Sequence, residues 1–360
     1  MDKINVAIIG ATGVVGQQFI LALHDHPWFT ISNLTASSQS SHKSYQNALR
    51  DPATGALRWF SSELPPKSIL ELPVSDLHSI DLSNIDLVFT AVSTQIARKI
   101  EGKLAKYKPV ISTARAYRYE PDVPIILPGI NLSHASLIHI QQKKRAWKGF
   151  IIPQPNCTAT GLAYSLKPIL DAYGLEKVLM TSLQAVSGAG RSPGVSALDI
   201  IGNVIPYIPG EEEAVEKETV KILGSLTDNQ SISPAPFSLS CTCTRVGVLD
   251  GHTESVFLST HTPCTVDDVR EVMRHYSKVN LLNLPSAPQQ LLVVQDDPYR
   301  PQPRLDLMTE DGMVTTIGRI RKDLTLKNGI KYVLLSHNTK MGAAKGAVLV
   351  AEFLYKEKYF

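Results

Sequence analysis

The chain has 360 residues, which fits two domains at roughly 100–200 residues each. With 43% hydrophobic and 19% charged residues it can build a sizeable core, which excludes wholesale disorder. Lys and Arg number 36 against 33 Asp and Glu, a formal charge of +3, so the overall balance gives no case for nucleic acid or an anionic membrane as partner. The four cysteines, Cys157, Cys241, Cys243 and Cys264, are too few for a disulfide scaffold. No run reaches the roughly 20 apolar residues that span a bilayer. Residues 1–9 could imitate a short signal core, but Asp2 comes early and the segment runs straight into a glycine loop, so a folded strand is expected there. The expectation is a soluble protein of a reducing compartment, taken as the cytoplasm.

Taken in chain order, residues 4–9 read as a buried strand and 14–23 as a helix. Residues 30–35, 87–92 and 110–112 read as further strands, with a helix near 97–107 and another short strand at 125–127. Strand–helix alternation of this kind predicts a parallel sheet with helices on both faces. Near residue 150 the texture changes to longer strands, at 178–187, 238–248, 255–260, 313–320 and 331–336. Helices are expected at 158–172, 211–223, 266–276 and 342–356, and 225–236 reads as a surface loop. The second half is therefore expected to be α+β and more antiparallel.

The loop Gly10-Ala11-Thr12-Gly13-Val14-Val15-Gly16 follows the first strand and opens the first helix. Glycine lets the backbone turn sharply and approach a pyrophosphate, which then sits on free N–H groups at the helix N-terminus. The spacing is GxxGxxG, a relative of the dinucleotide fingerprint. An NAD site usually carries an acidic residue at the end of the second strand, for the ribose 2′-hydroxyl. Here no Asp or Glu occurs between Asp25 and Asp51; Ser37, Ser38 and Lys43 stand there and suit a 2′-phosphate, so NADP is the expected cofactor.

Cys157 sits in PQPNCTATG, where a prolyl turn gives way to a helix. A helix N-terminus stabilises a thiolate, as a covalent nucleophile needs, and a small buried hydrophobe is an equal reading from local sequence. Cys241 and Cys243 alternate on a strand with Arg245 and share its face. A C-x-C pair with no nearby His is a weak metal signal, so both are assigned to core packing, Cys264 to a turn, and no metal site is expected. His252, in LDGHTE, is expected on a turn between two strands, where a catalytic base could be presented, although an exposed and inert histidine is the commoner reading of such a turn.

Together these residues resemble the aspartate-semialdehyde dehydrogenase family, in its fungal and archaeal type. The matching stretches are GATGVVGQ (10–17), PNCTATGL (155–162), LQAVSGAGRSPGVSALDI (183–200), GNVIPYIPGEEE (202–213), RVGVLDGHTE (245–254), RPQPRLD (300–306) and SHNTKMGAA (336–344), in the family's order. The resemblance implies a Rossmann-type NADP domain over 1–156, joined by a C-terminal helix at 338–360, and an α+β catalytic and dimerisation domain over 157–337. It implies reversible, NADP-dependent reduction of L-4-aspartyl phosphate to L-aspartate 4-semialdehyde, on the route to lysine, methionine, threonine and isoleucine. Cys157 is then the nucleophile, forming a thioester, and His252 the acid/base, expected as an imidazolium beside the thiolate. Gln184 orients the acyl group, Arg245 grips the carboxylate, Glu211 lies near the substrate amine, and Asn156 and Arg118 lie near substrate and phosphate. Gly10, Thr12, Gly13, Val14, Val15, Ser37, Ser38, Lys43, Ser187, Gly188 and Asn338 match the cofactor-binding positions. A homodimer or homotetramer is implied.

Three positions depart from the family. The lysine of its E-E-x-K run falls at Ala214, with Lys217 about 60° round the helix, where it either reaches the phosphate or, the reading favoured, pairs with Glu213. Thr113 stands where Asn is usual, and Gln39 where many relatives have a basic residue. Two competing readings are malonyl-coenzyme A reductase, suggested by the basic segment 143–150 and the missing lysine, and a non-catalytic NADP-binding paralogue. Asn156 and the intact Glu211–Glu213 run speak against the first, and the presence of Cys157 and His252 against the second.

Overall fold

A computed structural model describes residues 3–38, 40–61, 63–77, 79–191, 194–276 and 283–360. Gln39 lies outside the described residues. The chain forms two compact units, one of residues up to Pro124 with Ala135–Gln154 and Ala347–Phe360, the other of Ile125–His134 and Pro155–Gly346. Among the described residues no helix is long and apolar enough to cross a membrane.

In the first unit, β1 (Ile4–Ile9) is followed by β2 (Phe29–Ala36), β3 (Lys43–Ser44), β4 (Pro73–Asp76), β5 (Leu87–Thr90), β6 (Val110–Ser112) and β7 (Ile151–Pro153). They form one sheet in the order β3-β4-β2-β1-β5-β6-β7, parallel except for β3. The central strands are buried on both faces, from Val6 to Ile9 and from Leu87 to Phe89, which is why they read as unbroken apolar runs. The chain starts at β1, winds outward through β2 and β4, then returns to β5 and winds the other way. The C-terminal ends of β1 and β5 are thus the topological switch point, where open parallel sheets take their ligands. Within this unit His26 Nδ1 accepts the Trp28 and Phe29 N–H groups, so its Nε2–H faces Glu352 Oε1, 2.9 Å away. This buried pair ties down the last helix, Ala344–Lys356.

In the second unit, β8 (Leu175–Gln184), β9 (Val204–Ile205), β12 (Ser238–Val246), β13 (His252–Thr260), β14 (Leu292–Val294), β15 (Thr315–Asp323) and β16 (Gly329–Ser336) form a mixed sheet, ordered β14-β15-β16-β13-β8-β12-β9. From Val178 to Gln184 the side chains on β8 alternate strictly between buried and exposed, so one face is covered and the other open. The helix Cys157–Tyr173 packs on the covered side, against helices Glu211–Ile222 and Val266–Tyr276.

Four expectations change. Residues 125–127 form no strand: the Asn131 amide takes the Leu127 N–H at 2.8 Å and gives to the Ile125 carbonyl at 2.9 Å, replacing ladder partners. The segment 225–236 carries a two-stranded hairpin, β10 (Ser225–Leu226) with β11 (Ile232–Ser233). The strand expected at 178–187 ends at Gln184, and a 3-10 turn follows over Val186–Ala189. The last helix opens at Ala344, not near Asn338, because the Asn338 amide is engaged elsewhere.

Candidate active site

The site is best built from one row of the second sheet. Arg245 on β12 pairs in register with Gln184 on β8, and His252 on β13 with Ser336 on β16. Glu254 faces Ser182, so His252 lies one step further along, beside Gln184. In-register neighbours point to the same face of a sheet. Arg245, Gln184, His252 and Ser336 therefore line up across four adjacent strands, all at most 6% exposed. The row beneath is Cys243, Ser182, Glu254 and Leu334.

Cys157 descends onto this row at the first position of its helix. Two glycines permit the approach. A Cβ at Gly161 would lie 2.5 Å from Ser336 Oγ, and one at Gly342 would lie 2.8 Å from Cys157 Cβ. Asn156 caps the helix, its Oδ1 accepting the Thr158 and Ala159 N–H groups at 2.8 and 3.1 Å. Such a cap is worth about 1 kcal/mol. It also takes two of the donors that the cysteine was expected to enjoy. What reaches the sulfur directly is His252 Nε2, at 3.2 Å.

His252 is the first residue of β13 and fully buried, not on the preceding turn. The turn falls on Gly251, with φ +95°, where a Cβ would meet Leu307 Cδ1 at 2.7 Å. His252 Nδ1 accepts the Ala185 N–H at 3.1 Å. A neutral ring that accepts at Nδ1 carries its proton on Nε2, aimed at the sulfur. Burial, then the Arg245 charge, push its pKa down to about 3. The expected imidazolium–thiolate pair is therefore replaced by a neutral imidazole that donates to sulfur. A second proton on Nδ1 would face the Ala185 N–H in a buried place beside a cation.

Around this pair the polar groups interlock. Glu211 Oε1 accepts from Asn156 Nδ2 at 2.9 Å and from Gln184 Nε2 at 3.0 Å. Arg245 Nη1 donates to the Ala185 carbonyl at 2.8 Å; burial lowers its pKa, while the Cys157 thiolate and Glu211 oppose that. Asn338 Oδ1 accepts the Gly251 N–H and its Nδ2 donates to Ser187 Oγ, both at 2.8 Å, clamping the two turns that flank His252 and Gln184. Gly188 fills the remaining space, since a Cβ there would sit 2.8 Å from Arg245 Nη1 and 3.3 Å from His252 Nε2. The structure thus brings together Asn156, Cys157, Gln184, Ser187, Gly188, Glu211, Arg245, His252 and Asn338. Sequence reading missed Ala185, because it acts through its backbone, and Glu218 and Glu254, because single glutamates carry no signal.

Cys241 and Cys243 are buried; burial pushes the Cys243 thiol up to about 12 and Cys241 higher still. Among the described residues no group of three or more His, Cys, Asp or Glu is placed to hold a metal ion. Ala214 is buried at 3% exposure, and Lys217 is exposed on the same helix. Among the described residues Lys217 makes no ion pair with Glu213, so that expectation is not met. The two side chains extend into solvent, where an i,i+4 pair is worth only about 0.3–0.5 kcal/mol.

The remaining predicted residues belong to the first unit. Gly10 has φ +86°, and a Cβ there would run into the Ala91 carbonyl at 2.3 Å, so the loop lies against the end of β5. The Thr35 carbonyl at the end of β2 accepts both the Gly10 and Ala11 N–H groups. A Cβ at Gly16 would meet the Gly10 carbonyl at 2.2 Å, which brings the helix close to the strand. Gly13 caps helix Val14–Leu23 without a side chain, and Thr12, Val14 and Val15 adjoin it. A loop drawn tight by glycines, at the switch point and ahead of a helix whose N–H groups no side chain caps, fits a dinucleotide pyrophosphate. Ser37 and Ser38 are exposed on the turn after β2, and Lys43 opens β3; none is acidic, which fits a 2′-phosphate. Arg118 is buried, and its Nη2 donates to the Thr113 carbonyl at 3.0 Å. Thr113, at one of the departures, gives its hydroxyl to the Thr90 carbonyl.

A dinucleotide-type loop in one unit and a paired cysteine and histidine in the other define a nicotinamide-dependent dehydrogenase that works on an acyl group. Residues 5–138 match the semialdehyde dehydrogenase NAD-binding domain, and residues 166–341 the semialdehyde dehydrogenase dimerisation domain. The chain is 42% identical over 352 residues to the aspartate-semialdehyde dehydrogenase of Methanothermobacter thermautotrophicus, covering 98% of this chain and 99% of that one. It is 39% identical over 363 residues to that of Saccharomyces cerevisiae, covering 96% of each. The crystal structure of the Candida albicans aspartate-semialdehyde dehydrogenase with NADP superposes with a TM-score of 0.88 at 36% identity, covering 100% of both chains. The chain belongs to the aspartate-semialdehyde dehydrogenase family.

Proposed function

We propose that this protein catalyses the reversible, NADP-dependent conversion of L-4-aspartyl phosphate to L-aspartate 4-semialdehyde and phosphate. The observation that carries the reading is Cys157 Sγ at 3.2 Å from a histidine Nε2 whose tautomer is fixed by the Ala185 N–H. The Cys157 thiolate attacks the acyl carbon, the C–O bond to phosphate breaks, and a thioester remains, which is easier to reduce than a carboxylate. When bound, NADPH supplies the hydride that reduces that thioester carbonyl. His252 Nε2–H hydrogen-bonds to the developing oxyanion as a neutral donor, a role in which a buried imidazole is most effective. The C–S bond then breaks, the aldehyde leaves, and the thiolate is restored. Arg245 takes the substrate carboxylate, for which its planar fork is suited, and Glu211 the substrate ammonium. Asn156 serves the phosphate side, and Ser187, Gly188 and Asn338 line the nicotinamide position.

A homo-oligomer is part of the same reading. It is supported by the dimerisation-domain match and by the open face of the second sheet, where Leu179 and Leu183 are 47% and 41% exposed. All four cysteines are free, which suits the cytoplasm as the compartment. The deciding experiment measures NADP reduction with aspartate semialdehyde plus phosphate, beside NADPH oxidation with malonyl-coenzyme A. Turnover with the first pair is expected. Turnover with the coenzyme A ester alone would replace this reading by thioester reduction, and tight NADP binding without turnover would make the chain a non-catalytic relative.

A further inference from the structure

Helix Glu211–Ile222 carries five glutamates, and four of them are committed to specific donors. Glu212 Oε1 accepts the Cys243 N–H and Glu216 Oε1 the Cys241 N–H, each at 2.9 Å. Four residues of helix rise about 6 Å, and two residues of strand about 6.6 Å, so helix and strand edge run in step. Glu211 grips the Asn156 and Gln184 amides. Glu218, seven residues on, returns to the face of Glu211. It is fully buried, and its Oε2 accepts the backbone N–H of Asn156 at 2.6 Å.

That N–H belongs to the residue just before the nucleophile. Pro155, ahead of it, has no donor to anchor the chain. Asn156 is therefore held at four points: Oδ1 by the helix it caps, Nδ2 by Glu211, the carbonyl by Thr160, and the N–H by Glu218. The first two fix its side chain. The Glu218 bond fixes the Pro155–Asn156 peptide, one residue ahead of the peptide that carries Cys157.

We propose that Glu218 is a positioning residue: its carboxylate fixes the Asn156 backbone, and through it the pitch at which Cys157 Sγ meets His252 Nε2. It acts through Asn156 and touches no reacting atom. The proposal rests on the reading of Cys157 as nucleophile.

The test uses full-length Glu218→Ala, Glu218→Asp and Glu218→Gln. Two quantities are measured: kcat and KM for NADP reduction with aspartate semialdehyde and phosphate, and the rate of Cys157 alkylation by iodoacetamide without substrate. Alanine has no acceptor, and aspartate is one methylene short. Both should lower kcat about tenfold or more, leave KM within about twofold, and slow alkylation in parallel. Glutamine keeps an acceptor oxygen at the same reach and should restore both rates. Wild-type rates in the alanine variant, or in the aspartate variant where alanine does not fold, would overturn the proposal whatever the melting temperature. So would a glutamine variant as impaired as alanine, which would assign the role to charge instead of the acceptor. Alkylation needs no substrate, so this arm reads Glu218 even if the wild type turned over no aspartate semialdehyde, a result that would count against the proposed function.

Discussion

Cys157 and Cys243 lie in the same unit, and both sit close to the Arg245 row, yet their surroundings are opposite in kind. Cys157 stands at a helix N-terminus, half-buried, with an imidazole N–H at 3.2 Å and the Arg245 charge nearby. Cys243 lies one row deeper in the sheet, and its thiol is pushed up to about 12 by burial, with Glu211, Glu254 and Glu212 adding to the rise. A thiolate needs donors and positive charge in excess of its desolvation cost; at Cys243 the Ser182 hydrogen bond is outweighed by burial and three carboxylates. The step from one row to the next therefore separates a nucleophile from a packing residue.

Removing the nucleophile should have the largest effect. Cys157→Ser should lower turnover by at least about a thousandfold while NADP binding persists, read by steady-state rates and a binding titration. Alkylation mapped by mass spectrometry at pH 8 should label Cys157 and leave native Cys243 untouched. Near-normal turnover in the variant, or equal labelling, would erase the distinction.

A smaller effect is expected from crowding the first row without altering its chemistry. The added methyl of Gly188→Ala meets Arg245 Nη1 and the His252 ring. It should lower kcat/KM by about ten- to a hundredfold with the melting temperature little changed. Unchanged kinetics would mean that the row tolerates displacement and that its spacing is not decisive.

The smallest effect concerns pH. Folded His252 is held down to about 3, while the unfolded ring titrates near 6.5. Between those values the unfolded chain takes up a proton that the folded chain refuses, so stability falls as pH drops through the window. His252→Gln removes that difference and should give a shallower acid decline in melting temperature. A slope equal to the wild type would show that His252 is protonated in the folded state, and would restore the imidazolium pair.

How much of this was legible beforehand differs between the two halves. In the first, β1 and β5 are buried on both faces, so their apolar runs announced themselves. The glycine loop followed from φ and from backbone approach, both of which glycine alone allows. In the second, alternation showed the strands but not their neighbours. Arg245, Gln184 and His252 come from three separated segments, and nothing local says that β12, β8 and β13 lie side by side. Residues 125–127 misled because an apolar triplet looks the same whether a strand or an asparagine amide satisfies its backbone.

By itself the sequence determined the loop at the switch point, the helix that starts at Cys157, and the family to which seven matching stretches point. These are local matters, set by residue type and spacing along the chain. Tertiary structure alone decided that His252 is neutral, because its tautomer depends on an N–H from Ala185 and its protonation on burial beside Arg245. It alone brought Glu218 to the N–H of the residue before the nucleophile. Hydrogen bonds and desolvation depend on which atoms meet in space, and that is settled only when distant segments pack.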